Sequence, residues 1–267
     1  MFRLPPLPFE APDWLKQGAL ALRKAGEVAL DTLYPPACLA CRRAVAQHGG
    51  LCPTCWRAMR FIERPYCERL GTPFETDIAA QPGGRTLSAE ALANPPVFQR
   101  ARAVARFEEG PARQLVHRLK YGDRDELAGP MGLWMARAGG ELLSDADLLV
   151  PIPLHWTRLA RRRFNQAAAL ARAIEKASAA PSDAGLLVRV KPTPPQVGLT
   201  RRLRAENIQG AFAVPENRRI EAEGRRIVLV DDVMTSGATL NAAARVLLRA
   251  GAQRVDALVF ARVVKDS

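Results

Sequence analysis

The sequence predicts an α/β fold, a parallel sheet flanked by helices, with a small cysteine-rich module on its amino-terminal side. Short apolar runs alternate with helical patterns from residue 98 onward, which is typical of parallel strands joined by helices. Four cysteines form two closely spaced pairs between residues 38 and 55. With 267 residues, 48% of them hydrophobic, the chain is long enough for one large domain and a smaller attachment.

The first 36 residues are predicted to be a lead-in that contains an amphipathic helix at 14–33, stopped by Pro35 and Pro36. Charged residues interrupt its apolar positions, so neither an export signal nor a transmembrane helix is expected. We therefore expect a cytoplasmic protein.

The cysteine pairs predict a structural zinc ribbon over residues 37–75. Two C-x-x-C knuckles with a short spacer can place four thiolates tetrahedrally around one Zn²⁺; the predicted ligands are Cys38, Cys41, Cys52 and Cys55. Disulfides and a redox site are the weaker alternatives in a reducing cytosol. Cys67 has no matching partner, because a further knuckle would need a cysteine where the chain has Leu70. Residues 76–97 are rich in Gly, Pro and small polar residues and are predicted to be a linker.

The main domain is predicted to span residues 98–267. A strand at 101–107 and an amphipathic helix at 110–120 open it, and a second helical stretch follows, with boundaries that Pro130 obscures. A short apolar strand at 147–152 then leads into a loop crowded with arginines, Arg162 among them. The loop suits a pyrophosphate, because arginine offers several N–H donors to phosphate oxygens. A solvated basic helix face is the alternative.

A strand predicted at 186–190 runs into a long polar excursion that returns near 211–214. We expect this segment to lack secondary structure of its own and to act as a lid, with a plain mobile loop as the alternative. Gln196, Arg204 and Asn207 offer the donors for closing over a substrate.

The most informative segment is IVLVDDVMTSGAT, residues 227–239. Apolar residues lead to two adjacent carboxylates, Asp231 and Asp232, which can accept hydrogen bonds from two vicinal hydroxyls. A small-residue turn and an alanine-rich helical run follow. A helix start presents unpaired N–H groups and a partial positive charge, which suit a phosphate. This order of groups indicates a site for a 5-phosphorylated ribose.

The turn supplies the remaining phosphate ligands: Thr235, Ser236, Gly237, Ala238 and Thr239. Hydroxyls donate to phosphate oxygens, and the glycine allows close approach of the backbone. A Walker B strand has a similar pattern, but the chain lacks the accompanying G-x-x-x-x-G-K-[ST] motif. Ordinary packing, with Asp232 as a helix cap, is the other alternative.

Composition agrees with an anionic ligand. The formal charge is +12, and this excess favours phosphorylated molecules or nucleic acid as partners. A genomic preference for arginine codons would give the same excess without any functional meaning.

The combined pattern resembles the ComF-type competence proteins, which carry a type I phosphoribosyltransferase-like domain after a zinc ribbon. The motifs behind this resemblance are the CxxC pair at 38–41, LKY at 119–121, PxP at 151–153, RxFNQ at 162–166, QxGL at 196–199, RxxN at 204–207, GAF at 210–212 and the Asp231–Asp232 loop. Two positions depart from many relatives, which have Gly in place of Arg163 and Cys in place of Leu70.

The resemblance implies a five-stranded parallel sheet with a hood, binding of phosphoribosyl diphosphate with Mg²⁺, and a role in DNA uptake or use. It implies a phosphoribosyltransferase, a glycosyltransferase of unknown acceptor, in which Asp231, Asp232 and Arg204 are the catalytic candidates. Asn165 and Gln166 join Arg162 as substrate ligands. A non-catalytic adaptor is the alternative, with a helicase or other DNA-processing partner or with single-stranded DNA bound directly.

Overall fold

The computed structural model describes residues 35–74, 86–121, 125–157, 159, 164–192 and 201–264, without the side chains of 201, 202, 204 and 205. The helix predicted at 14–33 lies outside these residues, as do Arg162 and Gln196. Within the described ranges, no helix is long and apolar enough to cross a membrane.

The described chain alternates strands and helices. The strands are β1 (Ala101–Arg106), β2 (Leu148–Pro151), β3 (Val188–Arg189), β4 (Phe212–Ala213), β5 (Arg226–Met234) and β6 (Arg254–Arg262). The α-helices are α1 (Pro53–Ala58), α2 (Ala89–Ala93), α3 (Pro111–Tyr121), α4 (Ala128–Ala138), α5 (Gly140–Leu143), α6 (Gln166–Ala177), α7 (Arg201–Ile208) and α8 (Ala238–Arg249). Two 3₁₀ helices lie at Asp125–Leu127 and Glu216–Glu221.

The main sheet has four parallel strands in the order β1-β6-β5-β2, which confirms the predicted α/β class. A fifth strand is implied by the family resemblance. In its place, the structure has a single parallel bridge from Leu149 to Ser182 at the free edge of β2. Strands β3 and β4 form a separate antiparallel pair beside the sheet.

Alternating side chains of the central strands feed two cores, because successive residues of a strand point to opposite faces. Val228 and Val230 pack with helices α3, α4 and α6. Ile227 and Leu229 pack with α8 and with the β3–β4 pair. Pro130 does not break α4, since it lies in the first helical turn, where its missing N–H has no intrahelical partner to lose.

The amino ends of the strands are joined by ion pairs. Asp147 accepts from the Arg226 side chain and backbone, and these hydrogen bonds lower the pKa of Asp147 to about 2. Asp256, almost fully buried, pairs with both Arg100 at 2.7 Å and Arg254 at 3.0 Å. The charged side chains at the amino ends of the strands therefore hold the strands together.

The cysteine-rich module extends the main sheet beyond β1, the outer strand opposite β2. Phe61 forms an antiparallel bridge to Ala105 of β1, and the Ile62 N–H donates to the Val104 carbonyl at 2.9 Å. The buried Arg102 side chain pairs with Glu68 at 2.8 Å and with Glu141. The module and the domain thus share one continuous set of hydrogen bonds.

Residues 86–97 differ from the predicted linker. They include α2, whose amino end is capped by the Ser88 side chain and whose Ala91 is buried against Cys67. Composition alone did not reveal this capped helix, which packs on Cys67 of the predicted ribbon.

Helices α4 and α6 pack closely at Gly132. A Cβ atom added there would lie 2.4 Å from the Ala173 Cβ, whereas one added at Gly129 in the same helix meets nothing within 4 Å. We expect Gly132→Ala to lower the free energy of unfolding by about 1–3 kcal/mol through overpacking. Gly129→Ala is the matched control and should be neutral or slightly stabilising. Urea unfolding of both variants measures the difference; equal stabilities would contradict this packing.

Candidate functional site

The carboxyl ends of β2 and β5 lie side by side. Pro151 is in register with Val230, and the Ile152 N–H donates to the Val230 carbonyl at 2.9 Å. The loops that follow these two strands therefore leave from the same edge of the sheet, as predicted. In open parallel sheets, ligands bind at this edge.

The loop after β5 ends at the amino terminus of α8. Gly237 occupies the N-cap position with φ 75°, a left-handed conformation that favours glycine, and it has no side chain that could cap the helix. The first backbone N–H that bonds back into the helix is that of Asn241, to the Gly237 carbonyl at 2.8 Å. The N–H groups of 238–240 precede it, in the region where a helix start attracts anions.

The hydroxyl groups of this loop differ in exposure. Thr235 is exposed, and Thr239 is partly buried in the first turn of α8. The Ser236 hydroxyl oxygen is buried, and no hydrogen-bond partner for it lies in the described part of the chain. A buried hydroxyl without a partner costs free energy, so an acceptor supplied by a ligand would satisfy it.

The two carboxylates lie on opposite faces of β5. Asp232 follows Val230 on the face of α3, where its Oδ1 lies 3.0 Å from the Lys120 Nζ, and it is 7% exposed. Asp231 follows Leu229 on the face of α8 and is only partly buried; its Oδ1 accepts from the Asp232 N–H at 2.9 Å. Strand alternation thus gives the acids different surroundings, although they are adjacent in sequence.

Asp231 keeps some exposed surface, but the protein around it removes enough water that desolvation, together with the neighbouring charge of Asp232, raises its pKa to about 7. The positive charges of Lys120 and Arg189 lower this pKa, but by less than desolvation and Asp232 raise it. The raised pKa means that the folded protein holds a proton on Asp231 below about pH 7 in the absence of a ligand. Titratable groups with such shifts cluster at functional sites.

Two residues that the sequence motifs did not assign to the site therefore contact or influence the acidic pair. Lys120 lies in the last turn of α3, and Arg189 lies in β3, with its guanidinium 5.4 Å from the centre of the Phe212 ring. Lys120 belongs to the LKY motif, so the signal was present in the sequence. Its pairing depends on how α3 packs against β5, which the sequence did not reveal.

The loop after β2 ends at Asn165, the N-cap of α6. Its side chain accepts from the Ala167 N–H at 3.0 Å and donates to the Ile152 carbonyl at 3.1 Å. Asn165 therefore fixes the path of the loop between β2 and α6. Gln166 is buried in the first turn of the helix. Arg162 lies outside the described residues, so its predicted phosphate contact stays a prediction.

The excursion after β3 was expected to lack secondary structure, and that expectation is wrong for its second half. Residues 201–208 form α7, whose Ile208 is buried in the same core as Leu240 of α8. This apolar contact holds the helix beside the loop of the candidate site. Arg204 lies within α7, and Asn207 is partly buried near its end. Gln196 lies in the first half, outside the described residues.

The four predicted zinc ligands meet in one cluster. The sulfur atoms of Cys38, Cys41, Cys52 and Cys55 all lie within 4.8 Å of one another. The Sγ atoms of Cys41 and Cys52 are 3.6 Å apart, close to the roughly 3.8 Å that a tetrahedral site with Zn–S bonds of about 2.3 Å requires. Although burial raises the pKa of Cys38, backbone hydrogen bonds lower it to about 6. The donor set therefore fits a closed structural zinc site.

Comparison with known proteins supports both parts of the chain. A double zinc ribbon domain model matches residues 29–85, and a phosphoribosyl transferase domain model matches residues 167–266. The DNA utilization protein YhgH of Escherichia coli strain K12 is 32% identical over 86% of this chain and 98% of its own length. Competence protein F of Haemophilus influenzae is 28% identical over 84% and 96%. Competence protein ComFC of Bacillus subtilis is 41% identical over 39% of each chain.

Solved structures with a related arrangement include an allosteric regulatory enzyme of purine biosynthesis, which is 18% identical, with a TM-score of 0.37 over 54% of this chain and 30% of that one. A glutamine phosphoribosylpyrophosphate amidotransferase from B. subtilis is 19% identical, with a TM-score of 0.34 over 53% and 30%.

The Lys120–Asp232 ion pair can be measured with a double-mutant cycle of Lys120→Met and Asp232→Asn. Because both side chains are largely shielded from water, we expect a coupling free energy of about 1–3 kcal/mol in urea unfolding at pH 7. The exposed pair Arg219–Glu216 is the matched control, with an expected coupling below about 0.5 kcal/mol. If the two pairs couple equally, Asp232 is not held by Lys120 in solution.

Proposed function

Since the chain belongs to the ComF-type family of competence and DNA-utilization proteins, we propose that it binds phosphoribosyl diphosphate with Mg²⁺ at the carboxyl edge of its sheet. We propose further that this binding serves DNA uptake or use in the cytoplasm. The names of the relatives support the role in DNA uptake or use, and the geometry of the site supports the ligand.

One observation carries the ligand assignment: the uncapped start of α8 directly after the acidic pair of β5. Its backbone N–H groups and helix dipole suit a dianionic 5-phosphate. The Ser236 hydroxyl, buried and without a described partner, gains an acceptor in that arrangement. Thr235 and Thr239 add further donors on either side of Gly237.

The ribose is assigned to the acidic pair. Asp231 is the more accessible carboxylate, so it accepts hydrogen bonds from the vicinal hydroxyls. Asp232 gives one oxygen to Lys120, and that pair fixes the end of β5 beneath the sugar. Oxygen ligands of this kind suit Mg²⁺, which would neutralise charge on the diphosphate when bound.

The diphosphate is assigned to the loop after β2. Arg162 and its basic neighbours supply N–H donors, and Asn165 fixes the loop through its two backbone hydrogen bonds. Gln196, Arg204 and Asn207 are assigned to a lid that would close over the site and exclude water. In a transfer reaction the bond from the anomeric carbon to the diphosphate oxygen breaks, its electron pair leaves with pyrophosphate, and the acceptor forms the new bond.

Isothermal titration calorimetry with phosphoribosyl diphosphate and Mg²⁺ tests the assignment. We expect the double variant Asp231→Asn, Asp232→Asn to weaken binding about tenfold or more, because a hydrogen bond to a charged group contributes about 1.5–3 kcal/mol. Glu223→Gln is the matched control, since Glu223 is exposed just before the amino end of β5, on the opposite edge of the sheet.

Unchanged affinity in the double variant would refute the assignment of the acidic pair. Release of pyrophosphate in a screen of acceptors then separates the two functional classes. Turnover with any acceptor identifies a transferase. Binding without turnover across the screen identifies a ligand-sensing adaptor.

The raised pKa of Asp231 gives the binding a distinct pH dependence. Ionised Asp231 is the form that accepts the ribose hydroxyls, and its fraction grows as the pH rises through about 7. We expect the affinity to rise about tenfold between pH 6 and pH 8 from this group alone. In Asp231→Asn, the affinity should depend on pH only through the ligand's own phosphate, so its rise with pH should be shallower. Identical pH profiles for the wild-type protein and this variant would exclude Asp231 as the acceptor of the ribose hydroxyls.

A further inference from the structure

The segment between the zinc ribbon and the main sheet has the same pattern of backbone hydrogen bonds as the zinc ribbon. Cys38 donates its N–H to the Arg43 carbonyl at 2.7 Å, and Cys67 donates to the carbonyl of Thr72, also five residues further along, at 2.7 Å. In each segment a residue with φ near 65°, Arg42 or Gly71, lies four residues after the cysteine and donates its N–H back to the cysteine carbonyl.

The bridges that close the two knuckles also correspond. Ala37 pairs with Ala44, and Tyr66 pairs with Pro73, each pair flanking its knuckle at the same spacing. Outside each pair, the N–H of Val45 donates to Pro36 at 2.9 Å and that of Phe74 to Pro65 at 3.2 Å.

The second half of each ribbon corresponds as well. Cys52 caps α1 with its sulfur, which accepts from the Cys55 N–H at 3.4 Å. Ser88 caps α2 with its hydroxyl, which accepts from the Ala91 N–H at 3.3 Å.

The halves are joined in the same way. The N–H of Cys52 donates to the Cys38 sulfur at 3.2 Å, and the N–H of Ser88 donates to the Cys67 sulfur at 3.3 Å. The residue after each first cysteine, Leu39 or Glu68, donates to the carbonyl two residues before the cap, at 3.0 and 2.9 Å.

From these correspondences we infer that residues 65–74 and 86–93 form a second zinc ribbon that folds without zinc. Its four ligand positions are Cys67, Leu70, Ser88 and Ala91, in the same C-x-x-C spacing as the first site. Only Cys67 retains a thiol, and three ligand positions carry groups that do not hold zinc. Cys67, Leu70 and Ala91 instead pack as a small buried cluster with Phe74 and Leu87 at its border.

The metal-free ribbon contacts strands β1 and β6, and β6 lies beside the strand that carries the acidic pair. Arg262 of β6 donates to the Leu70 carbonyl and also contacts the Met234 sulfur at 3.4 Å, at the end of β5. A Cβ atom added to Gly71 would lie 2.8 Å from the Ala101 carbonyl oxygen, so this turn packs directly on β1. An apolar cluster in place of a metal makes this contact independent of the zinc supply.

The zinc content of the full chain tests the inference. We expect one zinc per chain by plasma mass spectrometry, and two would overturn it. The corresponding cysteines of the two ribbons make a matched pair of variants: Cys38→Ser should reduce bound zinc to below a tenth, whereas Cys67→Ser should leave it at one. A loss of zinc in Cys67→Ser would equally overturn the inference.

Restoring the ligands tests the assignment of the four positions. The triple variant Leu70→Cys, Ser88→Cys, Ala91→Cys completes a four-thiol set with Cys67 and should bind two zinc ions per chain. The control places the last cysteine one residue later, at the exposed Leu92, and should remain at one. A triple variant with native circular dichroism and a single zinc would contradict the assignment, while the two serine variants keep the test informative if the triple variant does not fold.

Discussion

The pairing of β5 between β2 and β6 is the constraint from which the rest of the structure follows. Parallel strands require helical crossovers, and these crossovers cover both faces of the sheet. The same pairing brings the carboxyl ends of β2 and β5 to one edge, so two loops distant in sequence become neighbours. It also sets the pleat of β5, which directs Asp231 and Asp232 to different faces. The candidate site is thus a consequence of strand register.

The two edges of the sheet use charge differently. At the amino edge, each buried or half-buried acid has an arginine partner, as Asp256 and Asp147 show, and the pKa of Asp147 is lowered accordingly. At the carboxyl edge, Lys120 pairs with Asp232, and burial together with that neighbour raises the pKa of Asp231. Matched charges stabilise the fold at one edge. At the carboxyl edge, neighbouring cations compensate the charge of Asp231 less fully, and this carboxylate is available to a ligand.

The two ribbons share one pattern of backbone hydrogen bonds but differ in what lies at its centre: four cysteines that fit a zinc ion in the first, and a small apolar cluster in the second. In the first, four thiolates around one ion supply the folding free energy that so small a module lacks. In the second, the same turns and caps surround Cys67, Leu70 and Ala91, and the burial of these apolar groups with Phe74 and Leu87 takes the place of the ion. The larger domain also holds this ribbon in place, because Arg262 donates to the Leu70 carbonyl and the turn at Gly71 packs on β1.

Local patterns determined much of this protein. Apolar periodicity predicted β1, β2 and α3, and the C-x-x-C spacing predicted the cluster of Cys38, Cys41, Cys52 and Cys55. The Asp231–Asp232 loop and its place at the carboxyl end of a strand were also evident from residue order. Tertiary structure alone decided the Lys120–Asp232 pair, the packing of α7 on α8, and the assignment of Ser88 and Ala91 to the second ribbon, because neither residue carries a thiol. Those features depend on contacts between segments far apart in the chain, and periodicity and spacing encode only what lies within a segment.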